Sequence, residues 1–102
     1  MDTPLIEALG DELFHALRER RSLQPLTQRY PDLTLETAYR ISLRFLQRRE
    51  ALGERVVGKK IGVTSRAVQE MLDVHQPDFG FLTDRMQVAD GCDVSFKAHN
   101  LV

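Results

Sequence analysis

The sequence predicts a mixed α/β or α+β module. Three observations carry this. Two segments with apolar residues at spacings of three and four come first. The period then changes at Val56 to a β-branched stretch flanked by glycines. A short helical pattern and short strand-like runs follow, which gives the order helix, helix, strand, helix, strands.

In the first helix, Thr3 is placed as N-cap and Pro4 at the first helical position, where its missing N–H costs nothing. Leu5, Ile6, Leu9, Leu13, Phe14 and Leu17 form one apolar stripe. Gly10 weakens the helix by about 1 kcal/mol relative to Ala. Arg18, Glu19, Arg20 and Arg21 end it with cations that suit the negative end of the helix dipole. Residues 22–33 have no period and are broken by Pro25 and Pro31, with Tyr30-Pro31-Asp32 as a turn. Leu23, Leu26, Tyr30 and Leu33 mark this as an ordered connection.

Thr34 is the expected N-cap of the second helix, with Glu36 in its first turn and Gly53 as terminator. Leu35, Ala38, Tyr39, Ser42, Phe45 and Leu46 are assigned to one face. Arg40, Arg44, Gln47 and Arg48 are assigned to the other, as a solvated surface. A strand is expected over 55–63. Thr64 or Ser65 then caps a third helix with Ala67, Val68, Met71 and Leu72 inward. His75-Gln76-Pro77-Asp78 is a loop, and Phe79-Gly80-Phe81-Leu82 a short strand. Met86-Gln87-Val88 is a further strand candidate, Ala89-Asp90-Gly91 a turn, and residues 94–102 a weakly extended run.

The 102 residues are enough for one domain. Lys and Arg total 14 against 15 Asp and Glu, a balance that disfavours general nucleic-acid binding. No apolar run approaches the roughly 18 residues of a membrane span. Met1-Asp2-Thr3-Pro4 has an acid where a signal peptide carries base. The single Cys92 cannot form an internal disulfide, so a cytoplasmic protein is expected.

The stretch Gly58-Lys59-Lys60-Ile61-Gly62-Val63-Thr64-Ser65 is the most informative for chemistry. Strand alternation sends Lys59 and Lys60 to opposite faces, so one is expected inward. An inward lysine could bind a carboxylate or transfer a proton, and the glycines would let a ligand approach closely. The plainer reading is a solvated pair that protects an edge strand. Thr64-Ser65 is most simply a helix cap, although a helix N-terminus can also receive an anion. Asp78, after Pro77, could orient a lysine or a water, or close an Asx turn. His15, His75 and His99 lack metal-ligand spacing, and H-x-x-x-H, C-x-x-C and E-x-E are absent from the chain.

Several motifs occur together in one order. They are Pro25-Leu26-Thr27, Arg29-Tyr30-Pro31, Thr34-Leu35-Glu36-Thr37-Ala38-Tyr39, the Gly58 to Ser65 stretch, and His75-Gln76-Pro77-Asp78-Phe79-Gly80. The combination resembles the N-terminal part of the 2-hydroxypenta-2,4-dienoate (2-oxopent-4-enoate) hydratases. These belong to the hydratase/decarboxylase family of the fumarylacetoacetase-like superfamily. The related oxalocrotonate decarboxylases usually carry an apolar residue in place of Asp78, so Pro-Asp-Phe-Gly tips the comparison toward hydratase.

The resemblance implies the addition of water to 2-hydroxypenta-2,4-dienoate, giving 4-hydroxy-2-oxopentanoate, in meta-cleavage degradation of aromatic compounds. It implies Mg²⁺ or Mn²⁺ held by glutamates beyond this chain, which would be a fragment cut before the metal-binding core and the β-roll. It places the family's motif lysine on Lys60, as the inward one, and a supporting carboxylate on Asp78. Thr64 and Ser65 would help build the pocket wall. It implies a homo-oligomer acting on a small 2-oxo acid, with a complex with the pathway's decarboxylase as a further partner. Two other readings stay open: a fragment of the decarboxylase, and a non-catalytic domain that binds a partner through its C-terminal edge.

Overall fold

A computed structural model of the chain describes residues 1–99. It contains α1 (Thr3–Glu19), α2 (Leu26–Arg29), α3 (Leu35–Ala51), β1 (Val56–Gly62), α4 (Arg66–Leu72) and β2 (Asp78–Thr83). A 3₁₀ turn at Asp84–Met86 follows β2. The sheet is antiparallel, so of the two expected classes the observed one is α+β. Two compact units are present. One is Met1–Gly53 with the described residues from Gly91 onward, and the other is Glu54–Asp90.

In the first unit, α1 begins one residue earlier than expected. Asp2, not Thr3, is the cap, and its Oδ1 accepts the Leu5 N–H at 3.0 Å. A carboxylate there also suits the positive end of the helix. Pro25 precedes the single helical turn of α2, so the connection is locally helical. Thr34 caps α3 as expected, accepting the Thr37 N–H at 3.2 Å. Gly53 follows α3 at φ 93°, a conformation that favours glycine.

The core is Ile6, Leu9 and Ile41, with Leu5, Leu13, Leu26, Tyr30 and Leu33 packed against it. Ile41 is 1% exposed, whereas Leu35 and Ser42 face outward. Leu46, expected inward, is buried, but the inward surface of α3 also runs through Ile41, Arg44 and Arg48, which the expected face left out. Those two arginines are not a solvated surface. Arg44 Nε and Nη2 donate to Asp11 Oδ1 and Oδ2 at 2.8 and 3.2 Å, and Arg48 Nη1 lies 2.9 Å from Asp11 Oδ1. The Arg48 guanidinium also stacks 4.8 Å from the Phe14 ring centroid. A second two-pronged pair joins Arg29 to Glu12, both contacts at 3.0 Å, and ties the connection to α1.

In the second unit, β1 and β2 pair with Lys59 opposite Phe81, Lys60 opposite Gly80, Ile61 opposite Phe79 and Gly62 opposite Asp78. The register shifts between Val56 and Gly58, a bulge one residue long. Thr83, 1% exposed, donates its hydroxyl to Glu54 Oε1 at 2.6 Å. The Arg55 N–H donates to Asp84 Oδ1 at 2.9 Å, and this bond holds the Asp84 carboxyl below its usual range. Met86 belongs to the 3₁₀ turn rather than to the expected third strand. Its Sδ accepts the Thr83 N–H at 3.5 Å, which folds the chain back at the end of β2.

Ser65 is the cap of α4, accepting the Val68 N–H at 3.2 Å. Ala67, Val68, Met71 and Leu72 are exposed, Met71 by 75%, against the inward placement expected for them. The helix is only seven residues long, and no described element packs extensively across its apolar side. Residues 94–99 form no strand, and Val94 and Phe96 are exposed. The rest of the expected extended run, 100–102, lies outside the described residues.

Candidate functional site

Alternation along the β1–β2 ladder sorts its residues onto two faces. One carries Lys59 and Ile61 with Phe79 and Phe81. There the Lys59 ammonium stands 5.8 Å from the Phe81 ring centroid, and the two phenyl rings meet edge-on at 6.0 Å. The other carries Gly58, Lys60 and Gly62 opposite Leu82, Gly80 and Asp78. Lys60 and Asp78 thus share a face, two ladder positions apart.

Between them the face is floored by backbone. A Cβ built on Gly80 would lie 3.5 Å from Lys60 Cε, so the lysine stem crosses Gly80. A Cβ built on Gly62 would lie 2.8 Å from Asp78 Oδ1, so the carboxylate lies over β1. Directly opposed residues sit about 5 Å apart and diagonal ones about 7–8 Å, within reach of a long side chain. The Lys60 stem and the Asp78 carboxylate thus lie over the bare backbone of the facing strand, a cation and an anion on one face of the hairpin.

Neither lysine is inward. Both are exposed, because in a two-stranded ladder neither face is covered by a further layer of the described residues. The alternation itself holds, since Lys59 and Lys60 lie on opposite faces.

The path from β1 to α4 contains a feature that sequence reasoning missed. Val63 has φ 55°, in the left-handed region that β-branched residues avoid, at a cost of order 1–3 kcal/mol. Gln69 Nε2 donates to its carbonyl at 3.0 Å and helps hold that turn. It brings Thr64 and Ser65 out beside the end of β1. Thr64 is exposed, and the Ser65 hydroxyl is occupied by the cap. No pattern of residue types at Val63 signals a positive φ. The amide of Gln69, in the first turn and a half after the cap, was its only trace.

His75 and Cys92 are exposed. Among the described residues no group of three or more His, Cys, Asp or Glu side chains could hold a metal ion, so they do not themselves supply a donor set. A separate hollow of about 340 Å³ in the first unit is lined by Leu5, Arg29, Tyr30, Leu33, Thr34 and Thr37, among others. Its one guanidinium is engaged by Glu12. Among the described residues no helix is long and apolar enough to cross a membrane.

No family model matches the chain. It is 59% identical over 101 residues to the 2-hydroxyhexa-2,4-dienoate hydratase of Comamonas testosteroni, covering 99% of this chain and 38% of that protein. It is 62% identical over 91 residues to a 2-hydroxypent-2,4-dienoate hydratase of Pseudomonas putida, covering 89% and 41%. Among solved structures, the 4-oxalocrotonate decarboxylase of Pseudomonas putida G7, complexed with magnesium and adipate, superimposes with a TM-score of 0.79 at 29% identity. That match covers 83% of this chain and 32% of the decarboxylase. The chain spans about two fifths of the length of the curated relatives it matches. The resemblance carried by the motifs is thus borne out across almost the whole chain.

Proposed function

We propose that this chain is the N-terminal part of a 2-hydroxy-2,4-dienoate hydratase of the hydratase/decarboxylase family. The observation that carries the reading is 59–62% identity to two dienoate hydratases over 89–99% of this chain. Pro77-Asp78-Phe79-Gly80, the motif that tips the comparison away from decarboxylase, stands at the start of β2. The whole enzyme adds water to 2-hydroxypenta-2,4-dienoate and forms 4-hydroxy-2-oxopentanoate, a step in meta-cleavage degradation of aromatic compounds. The dienol ketonises, and water then adds across the conjugated alkene.

In this reading Lys60 pairs with the substrate carboxylate or moves a proton, and Asp78 orients Lys60 or the attacking water. Thr64 and Ser65 form part of the pocket wall. A divalent ion, Mg²⁺ or Mn²⁺, completes the enzyme from donors outside this chain, and when bound it would stabilise negative charge on the 2-oxo acid. The magnesium in the decarboxylase structure supports a divalent metal in the family. We assign the enzyme to the cytoplasm, as a homo-oligomer able to associate with the pathway's decarboxylase. The 102-residue chain is the N-terminal part of that enzyme, inactive without the metal-binding core.

The reading is tested by following dienol absorbance with the full-length enzyme, with and without added Mg²⁺, and with the isolated chain. Loss of absorbance with the full-length enzyme alone is expected. Turnover by the isolated chain would contradict the placement of the metal donors outside it.

A further inference from the structure

Glycine at position 62 has no backbone reason to be glycine. Its φ is not positive, unlike those of Gly53 and Gly91, so an L side chain could adopt its conformation. A Cβ there would stand 2.8 Å from Asp78 Oδ1, so the carboxylate would have to leave the place it occupies. The other two ladder glycines differ. A Cβ on Gly58 would meet Leu82 at 3.7 Å and one on Gly80 would meet Lys60 at 3.5 Å, both ordinary contacts. Gly62 is therefore the one ladder glycine whose missing side chain decides where a charged group lies. Asp78 is exposed, so its carboxylate can swing aside with little effect on folding.

We propose that Gly62 is a positioning residue: its bare backbone is the seat that leaves room for the Asp78 carboxylate on the face it shares with Lys60. This deepens the hydratase reading and rests on it for its catalytic consequence. The seat itself is a property of the hairpin and can be observed without turnover.

The test compares Gly62→Ala, Asp78→Asn and the double variant in the full-length enzyme. Gly62→Ala is expected to lower kcat roughly 10- to 100-fold, the range for a misplaced catalytic group, with KM changed less and the melting temperature nearly unchanged. The double variant should be no slower than Asp78→Asn alone, because the alanine acts only through that carboxylate. Multiplying effects, or full activity in Gly62→Ala, would overturn the proposal. The second readout is the carboxyl ¹³C resonance of Asp78, assigned by its loss in Asp78→Asn. It should move in Gly62→Ala. An unmoved resonance would overturn the seat whether or not the enzyme hydrates a dienol. A moved resonance in a protein without hydratase activity would leave the seat standing and sink the functional reading instead.

Discussion

Gly10 of α1 lies so close to Arg44 of α3 that a Cβ at position 10 would stand 2.5 Å from both Cβ and Cγ of Arg44, and 3.0 Å from the Ile41 carbonyl oxygen. The residue that weakens α1 as an isolated helix is thus the point where the two helices touch. Small residues at such a crossing let backbones approach closely.

This contact reverses the sign expected for a helix-stabilising substitution. On an exposed helix, Gly→Ala gains about 1 kcal/mol. Here Gly10→Ala forces the helices apart, at a cost of about 1–3 kcal/mol for an overpacked site. Urea unfolding should show a lower midpoint for Gly10→Ala. A midpoint equal to or above that of the parent would mean that α1 and α3 do not cross at Gly10.

The ion pairs beside that crossing predict a pH dependence. Hydrogen bonding from Arg44 first, and from Arg48 after it, holds the Asp11 carboxyl below its usual range. A depressed folded-state value means that the unfolded chain binds the proton more readily. The stabilisation is therefore complete above the ordinary carboxylate range and is lost as pH falls through the lowered value. Asp11→Asn should reduce the urea midpoint at pH 7, and the gap to the parent should narrow as the solution is acidified below pH ~4. A gap independent of pH would show that the pairs add nothing beyond packing.

Lys59 and Lys60 are adjacent and both exposed, yet the ladder gives them different surroundings. Lys60→Ala in the full-length enzyme should lower kcat/KM by roughly 10²-fold or more, the scale of a lost acid–base or charge-pairing group. Lys59→Ala removes an exposed cation from the Phe81 ring and should change kcat/KM less than about threefold while costing on the order of 0.5 kcal/mol of stability. Steady-state kinetics on the dienol decide between them. Equal losses would place the substrate on the other face of the hairpin.

Much of this was legible from residue type and spacing. Thr34 and Gly53 bound α3 because cap chemistry is local: a hydroxyl three residues from a free N–H, and a glycine where φ must be positive. The opposed faces of Lys59 and Lys60 followed from strand alternation. Ile41 escapes a stripe that runs through Leu35 and Ser42, because periodicity does not fix which side of a helix meets its partner until that surface is known. Arg44 and Arg48 read as solvated charge in the sequence because their partner, Asp11, lies 33 and 37 positions away. The amphipathic pattern of α4 marks which side wants cover and says nothing about what covers it. Lys60 and Asp78 were singled out by family motif, but their common face depends on a register that no local pattern contains.

A dienoate hydratase and a decarboxylase differ in what they release. The most direct measurement is the product balance of the full-length enzyme with Mg²⁺, given 2-hydroxypenta-2,4-dienoate and oxalocrotonate in separate reactions. A hydratase should form one 4-hydroxy-2-oxopentanoate per dienoate consumed and release no CO₂ from either substrate. Stoichiometric CO₂ from oxalocrotonate, with the dienoate left unhydrated, would contradict the hydratase reading.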